Sequence, residues 1–129
     1  MEFQNKELVE IEKQIERMLI MFECTLTSIS GVDIVTAAKL LSEIGDINRF
    51  PNPDRLASFA GIAPIKFSSA GKGKEKSSKQ GNRRLHGIFY VLALQMTQTA
   101  RGSGIPRNPM FYEYYQRKIA EGKTKTQAM

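Results

Sequence analysis

The chain has 129 residues and a mass of 14.5 kDa, a length that indicates one domain, or one domain with an extension. Its 41% hydrophobic and 25% charged residues exclude a disordered chain, and its single cysteine and single histidine exclude a disulfide framework and a Cys-rich or multi-His zinc site. The net charge is +6. No apolar run approaches the roughly 20 residues of a membrane span, and the polar first residues do not form a signal peptide. We therefore expect a cytoplasmic location and no membrane partner.

A long amphipathic helix is predicted over residues 5–28. Charged residues fill one face of this stretch, and its apolar residues recur at spacings of three and four, as in a coiled coil: Leu8, Ile11, Ile15, Met18, Phe22 and Leu26. The apolar stripe fits packing against the rest of the domain, or against the same helix of a second copy in a homo-oligomer. We therefore divide the chain into a helix at 1–28 and a compact helical domain at 29–129.

Four shorter helical stretches follow in the predicted domain. A second helix covers residues 34–44 with Asp33 as its N-cap, and a third covers residues 53–59 with a proline at its first position. The most apolar helix covers residues 85–101, and its core face carries Leu85, Ile88, Phe89, Leu92 and Met96. A last helix covers residues 110–121, and residues 123–129 begin another, so the predicted fold is all-α.

The positive charge is concentrated in one segment. Residues 66–84 contain a single anion and seven cations, namely Lys66, Lys72, Lys74, Lys76, Lys79, Arg83 and Arg84. This basic segment carries the whole net charge, which indicates a polyanionic partner such as nucleic acid, although a solvated loop that binds nothing has the same composition. Residues 66–82 are rich in Gly, Ser and Lys, which predicts a loop or hairpin that is disordered without nucleic acid.

A glycine turn before the second helix is similar to a helix-hairpin-helix motif. In that motif, an apolar-x-Gly-apolar turn lets backbone N–H groups at a helix N-terminus face a DNA phosphate, and Gly31 would have this position here. A second copy of the pattern occurs at residues 59–62. The departure is Asp33, whose carboxylate would repel phosphate, and both glycines are also compatible with ordinary turns.

The start of the apolar helix is a further candidate phosphate site. Asn82, Arg83 and Arg84 lead into this helix, and cations at a helix N-terminus are disfavoured by the helix dipole unless an anion offsets them. A bound phosphate would do so, and exposure to water would also weaken the repulsion. A serine of the basic loop could act as a nucleophile toward phosphorus, whereas His86 is interpreted as a helix-surface or core residue.

Several spaced motifs together resemble the C-terminal transposase domain of the insertion-sequence 110/116/902 transposases, over residues 25–129. They are Gly31-Val32, Thr36-Ala37, Leu40-Leu41, Glu43-Ile44-Gly45-Asp46-Ile47, Arg49-Phe50, Leu56-Ala57, Phe59-Ala60-Gly61-Ile62-Ala63-Pro64, Ser69, Lys79, Gly81-Asn82-Arg83, Leu85, Asn108-Pro109, Phe111-Tyr112 and Gly122-Lys123. The resemblance implies an N-terminal RuvC-like domain with four acidic ligands for a divalent metal such as Mg²⁺, outside these residues. We expect no cofactor within the chain itself.

The resemblance also implies the chemistry and the partners. A serine five residues after the proline of the Gly-x-x-Pro motif would attack DNA and form a serine–DNA phosphodiester; counted from Pro64, this residue is Ser69. The family serine is usually followed by glycine, and Ala70 stands here, so Ser68 stays an alternative. A structured guide RNA and assembly into oligomers are implied as well. We expect these residues alone, an isolated C-terminal domain, to bind nucleic acid without cutting it.

Two other functions fit the same sequence. One is a non-catalytic helix-hairpin-helix module that binds nucleic acid, in which a change of Ser69 would have no effect. The other is a helical oligomerisation domain in which residues 5–28 pair two copies and the basic loop is idle. The latter would associate at high concentration and show no salt-dependent affinity for DNA.

Overall fold

A computed structural model describes residues 1–66, 75–76 and 80–129, with the backbone alone at residues 65–66 and 75–76. Its elements follow in chain order. They are α1 (Glu2–Met21), a 3₁₀ turn (Leu26–Ser28), α2 (Ile34–Ile44), a second 3₁₀ turn (Ile47–Arg49), α3 (Pro53–Phe59), β1 (Ile65–Lys66), β2 (Glu75–Lys76), α4 (Arg83–Met96), α5 (Pro109–Ala120) and α6 (Lys125–Ala128). The prediction of an all-α fold is confirmed. The two strands, of two residues each, pair antiparallel and are a small addition to it.

Side-chain caps fix where the central helices begin. Asp33 accepts a hydrogen bond from the Thr36 N–H at 2.6 Å, and Asn52 accepts one from the Arg55 N–H at 3.0 Å. Each cap satisfies an N–H group that has no partner within its own helix. Both helices accordingly have the predicted bounds.

The first helix is shorter at its C-terminal end than predicted. Helix α1 ends at Met21, and Glu23 has a positive φ of 50°, a conformation that no continuing α-helix contains. Residues 22–25 then turn the chain into the 3₁₀ turn. The prediction of one helix over 5–28 is therefore wrong beyond Met21, because heptad spacing alone carries no signal for this reversal.

The fourth helix also differs from its prediction, by two residues at its start and five at its end. It begins at Arg83 because Asn82 caps it, and it ends at Met96. The Thr97 hydroxyl donates to the Ala93 carbonyl at 2.8 Å, and Thr99 forms an isolated antiparallel bridge with Pro106. The chain after Met96 thus folds back on itself instead of continuing the helix.

The core lies where α2 packs between α1 and α4. Its buried residues come from all three of these helices and from the turns beside them: Leu19, Val32, Ala37, Leu40, Ala60, Leu85, Leu92 and Met96. Ile88 and Phe89 pack against this cluster half-buried, so the predicted core face of α4 is confirmed. Leu19 anchors the end of α1 to the domain, whereas most of the helix before Ile15 is exposed.

Within the described parts of the chain, no helix is both long enough and apolar enough to span a bilayer. The expected disorder of residues 66–82 concerns mostly residues outside the described ranges. Of that segment, residues 66, 75–76 and 80–82 have a described backbone.

Candidate nucleic-acid interface

Two glycines bring the chain just before the basic segment into contact with residues near the end of that segment. A Cβ atom on Gly61 would lie 2.5 Å from the Gln80 carbonyl oxygen, and one on Gly81 would lie 2.7 Å from the Gly61 nitrogen. Both glycines have positive φ, of 71° and 119°. The Asn82 N–H donates to the Phe59 carbonyl at 2.7 Å and fixes this Gly61–Gly81 crossing. Only glycine fits two backbones this close.

The crossing is continued by the strand pair, in which Ile65 is opposite Lys76 and Lys66 is opposite Glu75. The backbones of Lys66 and Lys76, both predicted to bind nucleic acid, are therefore neighbours. The other candidates of the segment lie outside the described residues: Ser68, Ser69, Lys72, Lys74 and Lys79. The strand pair thus places residue 66 beside residue 75 in space.

Asn82 has a structural role at the start of α4. Its side-chain oxygen accepts hydrogen bonds from the Arg84 and Leu85 N–H groups, each at 3.0 Å. Its amide nitrogen donates to Oε2 of Glu43 on α2 at 2.9 Å. Asn82 thus both caps α4 and ties it to α2, and its predicted contact with nucleic acid stays a prediction.

The carboxylate of Glu43 lies beside one of the two arginines, Arg84. Its Oε1 lies 3.9 Å from Nη1 of Arg84, whose side chain is 87% exposed. A pair this long and exposed contributes little to stability, yet it places a carboxylate at the positively charged end of α4. Arg84 therefore does not require a bound phosphate to offset its charge at this helix start.

Arg83 points to a different surface, a cleft of about 390 Å³ beside the crossing. The cleft is lined by one face of α4 and by the chain entering it: Ala60, Gln80, Gly81, Arg83, His86, Gly87 and Tyr90. Arg83, His86 and Tyr90 are exposed to solvent. An arginine, an imidazole and a tyrosine ring in one cleft can contact phosphate, base edges and base faces.

Gly31 lies in the turn before α2, as predicted. A Cβ atom on it would come within 3.4 Å of Cγ of Met96 on α4, and the carbonyl of the preceding Ser30 accepts a bond from Asn108 Nδ2 at 2.9 Å. Asn108 is the one buried polar residue among those described, and it also caps α5 through the Phe111 N–H. The Gly31 turn is thus joined to two other helices, and its contact with DNA stays a prediction.

The second copy of the helix-hairpin-helix pattern is not part of such a motif. Gly61 is followed by an extended stretch and β1, and the next helix within the described ranges, α4, begins only at Arg83. The pattern of an apolar residue, a small residue, glycine and an apolar residue marks a chain crossing here. The prediction of tandem hairpins is therefore wrong at this position.

Asp33 stands where the helix-hairpin-helix motif usually has a glycine, and its role here is to cap the N-terminus of α2. A hydrogen bond from the Thr36 side chain, together with that from the Thr36 N–H, lowers the pKa of the Asp33 carboxyl below its ordinary value. The ionised carboxylate occupies the start of α2. Helix α2 is therefore poorly placed to receive a phosphate at its N-terminus.

Sequence reasoning missed several residues of this surface. Tyr90 and Gly87 follow Arg83 by seven and four residues, a helical spacing that would have placed all three on one face. Glu43 gave no such signal, because its contact with Asn82 joins residues far apart in the chain. The guanidinium of Arg49 lies over the rings of both Phe50 and Phe59, 4.6 Å from each ring centre, and the two rings contact each other at 5.3 Å.

The described residues offer no ready metal site. Among the described ranges, no group of three or more histidine, cysteine, aspartate or glutamate side chains comes together. The donor set of these residues does not fit the divalent metal that the resemblance implies for a different domain. No chemical step is assigned to a metal here.

Comparison with known proteins gives a consistent result. The model of the Transposase IS116/IS110/IS902 family matches residues 24–116. An uncharacterized 43.6 kDa protein of insertion element IS110 from Streptomyces coelicolor is 38% identical over 105 residues, which is 81% of this chain and 24% of that protein. An uncharacterized 42 kDa protein of insertion element IS900 from Mycobacterium paratuberculosis is 34% identical over 106 residues, 81% of this chain and 25% of that protein.

A relative with a different name shows the same match. The pilin gene-inverting protein of Moraxella bovis is 31% identical over 104 residues, which is 79% of this chain and 30% of that protein. The chain thus spans about a quarter of the length of the curated relatives it matches. The matched region contains the Gly61–Gly81 crossing, the basic segment and the cleft.

Proposed function

Because the chain belongs to the IS116/IS110/IS902 transposase family, we propose that it is the DNA-binding and nucleophile-bearing domain of an insertion-sequence transposase. Its partner is DNA, gripped by the cations of the basic segment. The names of the relatives support this, since one is called a gene-inverting protein and others are encoded by insertion elements.

The Gly61–Gly81 crossing is the observation that carries the proposal. It holds the chain before the basic segment against Gly81, near the end of that segment, and the segment, which includes Arg83 and Arg84 at the start of α4, carries the whole net charge. Cations concentrated at one place on a neutral body create a local positive potential, which attracts the DNA backbone at any sequence. The crossing thereby supports a phosphate-binding function for the loop that it closes.

Within that loop we assign the nucleophile to Ser69, with Ser68 as the alternative. The serine hydroxyl oxygen would form a new bond to a DNA phosphorus and give up its proton. The bond from that phosphorus to one sugar oxygen would break, and this oxygen would take up a proton. One phosphodiester replaces another, so the step needs no external energy source, and neighbouring lysines would stabilise the charge that develops on phosphorus.

The remaining components belong to the proposal as well. A structured guide RNA would select the DNA, and the metal ligands would come from a region outside these residues. We therefore expect the 129-residue chain to bind DNA without cleaving it, in the cytoplasm. Cleavage of DNA by this chain alone would contradict the assignment of the metal ligands to another region.

A salt titration of duplex DNA binding tests the DNA-binding function. The chain should lose affinity steeply as salt rises, and a variant with Lys72, Lys74, Lys76 and Lys79 changed to alanine should have a slope smaller by about 3 to 4, at roughly 0.9 per phosphate contact. The matched control removes four exposed lysines elsewhere in the chain, Lys6, Lys13, Lys123 and Lys125. Equal loss of slope in both variants would show that total charge matters and the segment does not.

The nucleophile is tested in a transposase of the relatives' full length that carries these residues. Ser69→Ala should abolish recombination and leave DNA affinity nearly unchanged, while Ser68→Ala should keep recombination. Denaturing gels should show a protein–DNA adduct that disappears with Ser69→Ala alone. Recombination by both single variants at wild-type rates would exclude both serines.

A second function, assembly of copies through α1, is favoured by the exposure of its apolar residues. Leu8, Ile11 and Met18 are each more than half exposed in the monomer, although they belong to the predicted apolar stripe. Within α1, only Ile15 and Leu19 pack against the core. The apolar surface left uncovered on this helix is typical of a surface that pairs with another helix.

A further inference from the structure

We propose that the cleft beside the Gly61–Gly81 crossing binds a single unpaired nucleotide, with its base against Tyr90 and its phosphate at Arg83. This inference rests on the proposed nucleic-acid-binding function and assigns it a second, structurally distinct subsite. The basic segment would hold backbone phosphates, and the cleft would hold a base that has left its stack.

The cleft is of a size and shape suited to one base. Its volume is about 390 Å³, and it is walled on one side by the Gly61–Gly81 crossing and on the other by α4. Arg83, Gly87 and Tyr90 stand at positions i, i+4 and i+7 of that helix, so they form one continuous stripe. The helical rise separates Arg83 from Tyr90 by about 10 Å along the axis, and the flexible arginine side chain can shorten this distance.

Gly87 makes the floor of this stripe flat. It lies inside α4, where glycine favours the helix less than alanine does because it loses more backbone freedom on folding. A Cβ atom on Gly87 would meet no described atom within 4 Å, so packing does not require glycine there. Any side chain at this position would instead project into the cleft. Gly87 thus lowers helix stability while keeping open the space that a planar ligand needs.

Tyr90 provides the stacking surface. It is 47% exposed although it lies on α4, which supplies part of the core, and its ring has no aromatic or cationic neighbour among the residues that the structure describes. Aromatic rings on nucleic-acid-binding surfaces stack on bases of any sequence, because every base has a π-face. The rings of a paired duplex are already stacked on both sides, so this surface favours an unpaired base.

The charges around the cleft select a phosphate-bearing ligand. Arg83 is exposed and forms no ion pair among the described residues, while the nearby carboxylate of Glu43 is engaged by Asn82 and Arg84. His86 adds ring nitrogens that can contact a base edge or a phosphate. The cleft opens next to the end of the basic segment, so a strand held by that segment passes its entrance.

Fluorescence of 2-aminopurine tests this inference, since the probe is quenched when it stacks. The chain is titrated with three oligonucleotides: a duplex DNA with one unpaired 2-aminopurine, the corresponding RNA, and the same DNA fully paired. We expect tighter binding and quenching with an unpaired probe. Tyr90→Ala should weaken binding of the unpaired probe about tenfold and leave the paired duplex unaffected. Tyr90→Phe, which keeps the ring, should bind as the wild type does.

Gly87→Ala separates the cleft from the stability of the fold. It should raise Tm by a few degrees and still weaken binding of the unpaired probe, a combination that damage to the fold does not give. Tyr114→Ala, at a similarly exposed tyrosine on α5, is the matched control and should leave binding of the unpaired probe unchanged. If only the DNA probe or only the RNA probe is quenched, the result identifies which of the two nucleic acids supplies the nucleotide, and either result supports the inference.

Two outcomes would contradict this inference, and only the second would also contradict the proposed DNA-binding function. Equal affinity for paired and unpaired probes, unchanged by Tyr90→Ala, would exclude the cleft and leave the proposed DNA-binding function standing. No binding of any oligonucleotide by the wild type at low salt would exclude the proposed function together with the inference.

Discussion

At the scale of the residue, Asp33 combines a cap with a charge. Its carboxylate accepts from the Thr36 N–H at 2.6 Å, and the Thr36 contacts lower the pKa of this carboxyl. A carboxyl whose pKa is lower in the folded than in the unfolded protein stabilises the fold above its unfolded pKa, which is about 3.9. This contribution is lost as the pH falls through the lower, folded pKa.

Asp33→Ala should therefore lower the free energy of unfolding by about 1 kcal/mol at pH 7, with a smaller difference below about pH 4. The measurement is urea unfolding at several pH values. Asp33→Asn is the matched control, because asparagine caps a helix about equally well and does not titrate. A constant difference between wild type and the alanine variant across the whole pH range would contradict this account.

At the scale of the element, the Gly61–Gly81 crossing fixes how α3 leads into α4. A Cβ atom on Gly81 would meet three backbone atoms within 3 Å: the Gly61 nitrogen at 2.7 Å, the Gly61 Cα at 2.8 Å and the Phe59 carbonyl oxygen at 2.9 Å. Backbone atoms cannot move aside as the end of a side chain can. Any residue other than glycine would have to separate the two segments.

Gly81→Ala should accordingly destabilise the protein by about 2 kcal/mol or more, measured by thermal or urea unfolding. Gly102→Ala is the control, since Gly102 also has a positive φ, of 86°, and a Cβ there would meet no described atom within 4 Å. It should cost only the backbone strain, about 1 kcal/mol. An equal loss of unfolding free energy in both variants would show that the close approach of the two backbones does not contribute to the cost of Gly81→Ala.

Elements with local start signals were predictable from the sequence, and elements that end through distant contacts were not. Helices α2 and α3 have their predicted bounds because Asp33 and Asn52 lie at the caps themselves. The end of α1 depends on a reversal at Glu23, which apolar spacing does not encode. In the site, the basic segment is visible in the composition. The crossing and the Asn82–Glu43 bond are not, because they join residues distant in sequence.

At the scale of the whole molecule, the domain has a packed side and an uncovered one. Helix α2 is enclosed between α1 and α4, while much of α1 extends beyond the core with apolar residues exposed. Leu8 is 57% and Ile11 is 52% exposed, and both lie far along the chain from the anchor at Leu19. Assembly through this part of α1 would cover surface that the monomer leaves in water.

Leu8→Lys combined with Ile11→Lys should therefore convert a concentration-dependent oligomer into a monomer while leaving Tm at low concentration unchanged. Light scattering after size exclusion measures the mass. Ile105→Lys, at an isoleucine that is 64% exposed outside α1, is the matched control and should keep the oligomer. A monomer in the wild type at every concentration would exclude assembly through α1.

The Gly61–Gly81 crossing has a further consequence, for how this protein can change over evolutionary time. Because the two backbones are held at the crossing, residues 67–74 can lengthen, shorten or change sequence without moving any helix. The entropy of closing a loop grows only with the logarithm of its length, so each doubling costs about 0.6 kcal/mol. Changes in the length of the chain between the two strands can thus be tolerated while α3 and α4 keep their positions.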